Sequence, residues 1–404
     1  MPKVVIIGGG LVGAATALGL HQIGIQSTVY DQVNPVEAVV DGRAIEFGDS
    51  GGAVLIQAGG LRVLRTLGLL DECLAAGQSS SFVSWHKIDG SAQIVGNTKA
   101  WNQKAGETDP KLLAPLQILR STLHTILIKA CHRVGIKTLV NKKLVDVKQD
   151  DSSVTAFFAD GSTATGDILI GADGIHSATR HKVFGEHLNA TFTSSIGHIG
   201  VVNIKEHGIT IKETEECSFF VDRDKKLFVA VFKSSADTAA INVSTFDEVT
   251  VEGDDQSASY RPYTDLPKHA GHLADVLKSW GVPPHLEKMM RHSHRLSSYS
   301  VYDLPDMDSY RKGRVILIGD AAHGMVPSAG LGLLTGLEDV GTLVALFRNL
   351  PEEKDLNRVL ELYSDIRVAR EQQHPTRLAV CVSTLIPRLH LLEEVSIILY
   401  SVLL

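Results

Sequence analysis

Cysteine is scarce in this sequence: Cys73, Cys131, Cys217 and Cys381 are the only four in 404 residues, and they are widely separated. Such spacing excludes a CxxC metal or redox pair and a disulfide framework. It predicts no metal site and a reducing, cytoplasmic setting. An excess of positive charge is also missing, since 39 Lys and Arg stand against 46 Asp and Glu, a formal net charge of -7. Without a basic footprint, nucleic acid is not an expected partner. Long apolar runs are lacking too. The tail 378–404 is rich in apolar residues, but Pro387, Arg388, His390, Glu393 and Glu394 interrupt it. Its last clean run, 395–404, is about half the roughly 20 residues that a membrane-spanning helix needs. No transmembrane span is expected. The tail reads either as a helix packed on the body or on a partner, or as a weak monotopic membrane contact. A cleavable leader is not expected either, because the strand-like Val4-Val5-Ile6-Ile7 follows the first residues at once.

What the sequence does hold is the material for two packed domains. Residues 4–7 form a continuous apolar run, as in a parallel strand covered on both faces. A helix is expected over 11–23, ended by Gly24, and a second strand over 26–30. Leu61, Leu64, Leu67 and Leu70 predict an amphipathic helix over 59–70. The stretch 78–109 is rich in Ser, Gly, Asn and Trp and reads as an excursion. A helix over 119–134 precedes strands near 137–140 and 144–149, then a hairpin turning at Asp160-Gly161. Residues 167–172 and 315–318 return to the buried parallel style. Between about 191 and 300 the pattern alternates, as in a mostly antiparallel sheet.

Gly8-Gly9-Gly10-Leu11-Val12-Gly13 is a GxGxxG between a buried strand and a helix. Gly8 permits the tight turn, Gly10 a close approach to a pyrophosphate, and Gly13 close packing of helix on strand. Asp31 ends the second strand, where a carboxylate can accept hydrogen bonds from a ribose hydroxyl. This much predicts a dinucleotide without choosing between NAD and FAD.

Two further segments make the choice. Residues 166–180, with Asp173-Gly174 at their centre, resemble the DG motif of the group A FAD monooxygenases, the single-component aromatic hydroxylases typified by para-hydroxybenzoate and salicylate hydroxylase. Residues 313–323, with Gly319-Asp320, resemble the GD motif of that family, and Pro327, Gly330, Gly332 and Glu338-Asp339 continue it. Arg120 matches the arginine that opens the family's helix beside the cofactor. The resemblance runs from Val4 to about Phe347. It implies an α/β fold: a Rossmann-type FAD-binding domain (1–77, 110–185, 301–350) interleaved with a mostly antiparallel β-sheet substrate domain (78–109 and 186–300), plus C-terminal helices (351–404). It implies that Asp320 binds the ribitol of FAD and that Asp173 lies near the pyrophosphate. Pro327 would wall the flavin, while Gly332, Leu333 and Leu334 would present backbone N–H groups to the flavin pyrimidine. Gly52 and Arg43 align with positions near FAD, Arg43 reading equally well as a solvated loop residue. The implied chemistry is reduction of FAD by transient NADPH or NADH, formation of a C4a-hydroperoxyflavin with O2, and oxygen transfer to a small molecule. Monomer and homodimer both remain open.

The sequence also departs from the family. Gly324 stands where a proline is usual after His323, and Leu331 and Leu334 replace polar residues. In the middle domain the family's frequent arginine and tyrosine are absent from 197–203 and 219–221, so no catalytic base is assigned. His198, His323 and Tyr302 are candidates with structural alternatives. The missing pair, together with Phe220, suggests a substrate that needs no deprotonation, either an alkene or an electron-rich ring such as indole.

Overall fold

The computed structural model describes residues 2–33, 51–245, 261–263, 265–326, 330–349 and 356–373. Arg43, Pro327, Cys381 and the apolar tail therefore lie outside the described residues.

A six-stranded sheet is built around the first strand. Its order is Arg311–Lys312, Val315–Leu317, Ile168–Gly171, Val4–Ile7, Ser27–Tyr30 and Lys137–Leu139. All pairings are parallel except the outer one between Arg311–Lys312 and Val315–Leu317. The four central residues Val4 to Ile7 are all buried, which is why they read as an unbroken apolar run. Helix Leu11–Gln22 packs between Arg120–Arg133 and Gly332–Arg348. The approach to the latter is close: a Cβ on Gly19 would stand 2.6 Å from Val344 Cγ2. The single helix expected over 59–70 is two, Ala58–Thr66 and Leu70–Ala76. Gly68, at φ 73°, takes the left-handed conformation that ends the first. Leu61, Leu64, Leu67 and Leu70 are nevertheless all buried, so their spacing reported the core and not the helix limit.

An eight-stranded sheet follows the order Arg261–Pro262, Arg295–Asp303, Thr191–Asn203, Thr238–Thr245, Leu227–Lys233, Cys217–Asp222, Phe82–Lys87 and Gln93–Asn97. Only the pairing of Phe82–Lys87 with Cys217–Asp222 is parallel. The stretch 191–300 is not strands alone. Helices Leu266–Ser279 and Pro284–Arg291 lie within it and cover one face of the sheet. Ala270, Leu273, Ala274, Leu277, Leu286, Met289 and Met290 pack there against Val202, Val229, Val231, Ile241 and Val243.

Side-chain alternation decides what each strand offers to the other lobe. A Cβ on Gly52 would meet Ile199 Cγ2 at 2.7 Å and Ala240 Cβ at 3.7 Å, so the face carrying Ile199 and Ala240 turns toward the six-stranded lobe. Phe220 belongs to the opposite face. It is 1% exposed and stacks on His86 at 4.4 Å within the helix-covered core. Its part in the expectation of a substrate that needs no deprotonation is therefore withdrawn.

Candidate active site

The glycine turn separates two kinds of glycine. Gly8 has φ 103°, and a Cβ there would lie 2.3 Å from Ala172 O; a Cβ on Gly13 would lie 2.0 Å from Gly8 O. Packing alone demands both. Gly10 has an ordinary φ of -67°, and nothing stands within 4 Å of where its Cβ would be. It borders open space at the start of helix Leu11–Gln22, which carries no side-chain cap and no acidic residue in its first turn. Uncapped N–H groups and partial positive charge facing an opening suit a pyrophosphate.

Asp31 and His124 shape this turn from either side. Asp31 Oδ2 accepts the Gly9 N–H at 2.5 Å and Oδ1 the Val33 N–H at 2.8 Å. Burial pushes its pKa up, the two N–H groups pull it down, and the charge of Asp173 adds to the rise. His124 Nε2 lies 2.8 Å from Gly9 O, and burial lowers its pKa to about 4. The ring is thus neutral at pH 7, with Nε2–H donating.

The DG segment is braced internally. The Asp173 carboxylate accepts from Ser177 Oγ (2.5 Å), Thr179 N (2.9 Å) and Thr179 Oγ1 (3.0 Å), so it organises its own loop beside the turn. Arg180 is fully buried and donates to Leu188 O, Ala321 O and Ile175 O, tying the DG segment to the GD segment. The sequence held Arg180 without showing this use, which depends on contacts 141 residues away.

Asp320 stands at the other end. Gly319 turns with φ 58° and Asp320 starts the short helix Asp320–His323. The Asp320 side chain keeps accessible surface, yet protein encloses it enough that burial raises its pKa, partly offset by His323 and Arg120. A carboxylate both accessible and enclosed lines a cleft. A Cβ on Gly332 would stand 3.7 Å from Asp320 Oδ1. Helix Gly332–Arg348 begins there, again without a capping side chain or first-turn acid. Leu333 is half-buried, and Leu334 is buried against Gly59. Arg120 N donates to Gly52 O at 2.9 Å, which joins these two positions. The described expected residues thus gather in two groups: Gly8, Gly10, Gly13, Asp31 and Asp173, then Gly52, Arg120, Asp320, Gly332, Leu333 and Leu334. This donor set, anionic at the polyol end and N–H-rich at two helix starts, fits FAD. Gly324 has a local reason, since a Cβ there would meet Ile175 Cδ1 at 2.1 Å and leave no room for proline.

The histidine candidates fall elsewhere. His198 lies on the helix-covered face, with Nδ1 2.9 Å from Tyr263 Oη and Nε2 3.1 Å from Thr245 Oγ1. His323 points inward, 2.6 Å from Asp339. Tyr302 meets the His176 ring edge-on at 4.6 Å and leans on Phe192 at 5.6 Å.

The face turned toward the six-stranded lobe carries residues that the sequence reading missed. By register, Trp85, Phe219, Phe228, Asn242 and Tyr299 share it with Ile199. Trp85 and Phe219 stack at 6.0 Å, with Phe228 6.2 Å beyond Phe219. Tyr299 lies over Gly197, and its hydroxyl accepts from Asn242 Nδ2 at 2.9 Å, while Asn242 Oδ1 is buried with no protein partner. Strict alternation in each strand was the available signal, but only pairing register shows which alternate residues align. Among the described residues no group of His, Cys, Asp and Glu could hold a metal ion, and no helix is long and apolar enough to cross a membrane.

Comparison with known proteins agrees with this geometry. Residues 1–377 match a family model described as FAD binding domain. An FAD-dependent urate hydroxylase of Mycolicibacterium vanbaalenii is 29% identical over 378 residues, 91% of this chain and 85% of the relative. An FAD-dependent monooxygenase of Aspergillus terreus is 27% identical over 394 residues, covering 91% and 84%. Among solved structures, a Klebsiella pneumoniae protein complexed with FAD and uric acid superimposes with TM-score 0.73 at 22% identity, covering 91% of this chain and 84% of that one.

Proposed function

The chain belongs to the FAD binding domain family and is an FAD-dependent oxidoreductase of the monooxygenase class; from this premise we propose that it hydroxylates or epoxidises a planar, mostly apolar aromatic molecule with one polar substituent. Bound FAD, reduced by NADPH or NADH and met by O2, supplies the oxygen-transfer chemistry. The chain's part is to bind, orient and exclude water. Gly8, Gly10 and Gly13 would receive the pyrophosphate, Asp320 the ribityl hydroxyls, and the N-terminus of helix Gly332–Arg348 the negative charge of the reduced pyrimidine.

The observation that carries the substrate reading is the row Trp85, Phe219 and Phe228 beside the Asn242–Tyr299 pair, on the face turned toward the cofactor lobe. Aromatic side chains favour stacking with a flat ring, and the hydrogen-bonded Asn242–Tyr299 pair at the end of the row favours a single polar substituent. Tyr299 supplies a hydroxyl after all, from Arg295–Asp303 and not from the segment where the family's tyrosine was sought. The case for a substrate needing no deprotonation therefore now rests only on the absent family residues.

The test is a panel of indole, salicylate and uric acid, each mixed with FAD-loaded enzyme, O2 and either nucleotide. Nucleotide consumption and product mass are followed together. Indole stimulating consumption with matched oxygenated product supports the reading. Product from uric acid alone contradicts the apolar assignment. Flavin reduction by a substrate without nucleotide would point instead to an oxidase or dehydrogenase.

A further inference from the structure

Behind the GD turn lies a buried charged cluster that the functions above leave unused. Asp339 is fully buried and accepts three hydrogen bonds. Oδ2 takes the Gly319 N–H at 2.7 Å and His323 Nε2 at 2.6 Å, and Oδ1 takes Arg367 Nε at 2.5 Å. Arg367, itself 2% exposed, comes from helix Leu356–Gln373. It also reaches Glu338 Oε2 (3.0 Å), Thr335 O (3.1 Å) and Glu371 Oε1 (3.4 Å).

Gly319 and His323 bracket the helix Asp320–His323, so one carboxylate grips the turn at both ends. Asp320 lies between the two gripped residues, so its backbone is held at both sides. Burial alone would push the Asp339 pKa up, but the charges of His323 and Arg367 outweigh it and hold the group below the usual carboxylate range. Burial likewise opposes the His323 cation, and Asp339 reverses that too. Hydrogen bonds between charged groups in a dry interior are strong and directional, so such a cluster fixes geometry tightly.

Resting on the reading that Asp320 binds the ribityl chain of FAD, we propose that Asp339 is a positioning residue that, with His323 and Arg367, holds the 319–323 turn in the conformation that receives the cofactor. Helix Leu356–Gln373 then supports the FAD site from behind, with Arg367 as its point of attachment.

The test titrates FAD into apoprotein, following flavin fluorescence, the visible spectrum of bound flavin and the melting temperature of each apoprotein. The variants are Asp339→Asn, Arg367→Met, Arg367→Lys and Asp320→Asn. Leu360→Ala, which removes a fully buried side chain from the same helix, sets the effect of destabilisation alone. Asp339→Asn and Arg367→Met are expected to weaken FAD binding roughly tenfold or more and to blur the bound-flavin spectrum. Arg367→Lys should recover part of the affinity. Leu360→Ala should lower the melting temperature with affinity near wild type. Affinity in Asp339→Asn equal to that of Leu360→Ala overturns the proposal. Loss in Asp320→Asn but not in Asp339→Asn refutes the positioning role alone, whereas no loss in either refutes the Asp320 reading as well. If Asp339→Asn is insoluble, the Arg367→Met and Arg367→Lys pair decides on the same criterion.

Discussion

Gly10 and Gly13 occupy one motif and make opposite predictions. Gly10→Ala adds a methyl group to open space at a permissive φ, so the apoprotein should melt as wild type does while FAD affinity falls about tenfold or more. Gly13→Ala drives Cβ into Gly8 O and should lower the melting temperature as well. Differential scanning fluorimetry with an FAD titration checks both. His124 yields a pH prediction. Its pKa is near 6.5 unfolded and is lowered to about 4 in the fold, so below pH 6.5 the unfolded chain binds a proton that the folded chain refuses. Stability therefore falls as pH drops from 6.5 toward about 4, by up to about 3 kcal/mol from this one group. Urea unfolding at pH 7 and pH 5 should show a smaller loss for His124→Gln than for wild type. An equal loss would exclude His124 as a source. At this scale the sequence was most legible where geometry is local: Gly8 and Gly319 take the positive φ, and Gly13 the close contact with Gly8, within their own motifs. His124 and Arg180 were silent because their partners lie 115 and 141 residues away, and Asp339, although it stood in the continuation of the GD motif, did not show that it binds Gly319, 20 residues earlier.

Among the elements, the parallel strands were plain because burial on both faces leaves uniform apolar runs such as Val4–Ile7. Helix Leu266–Ser279 was missed within a stretch read as sheet, although Ala270, Leu273, Ala274 and Leu277 carry helical spacing and Asp265 caps its start by accepting from Lys268 N. This helix seals the sheet face opposite the cofactor lobe. Leu277→Ala, at a fully buried position, should cost about 2–5 kcal/mol in chemical denaturation yet leave FAD affinity of the folded protein unchanged. A parallel loss of FAD affinity would mean that the two sheets do not act separately. The misassigned Phe220 belongs to this scale as well. Composition marked it as apolar, but only the pairing of Cys217–Asp222 with Leu227–Lys233 shows which face it takes.

Across the whole molecule two surfaces meet: the ends of the parallel strands with the turn at Gly8, Gly10 and Gly13, and an aromatic sheet face turned toward them. Gly52 sits where they meet, bonded through its carbonyl to Arg120 and pressed against Ile199. The expectation of a dinucleotide site was legible because such motifs are short and local; the aromatic face was not, because five strands each give one residue to it. The central claim is that this pairing transfers an oxygen atom instead of merely passing electrons to O2. Its most direct test is turnover with FAD-loaded enzyme, nucleotide, indole and ¹⁸O₂, with mass spectrometry of the organic product. One ¹⁸O atom incorporated per nucleotide oxidised is the expected result. Nucleotide oxidation yielding only labelled hydrogen peroxide, with indole unchanged, would contradict it.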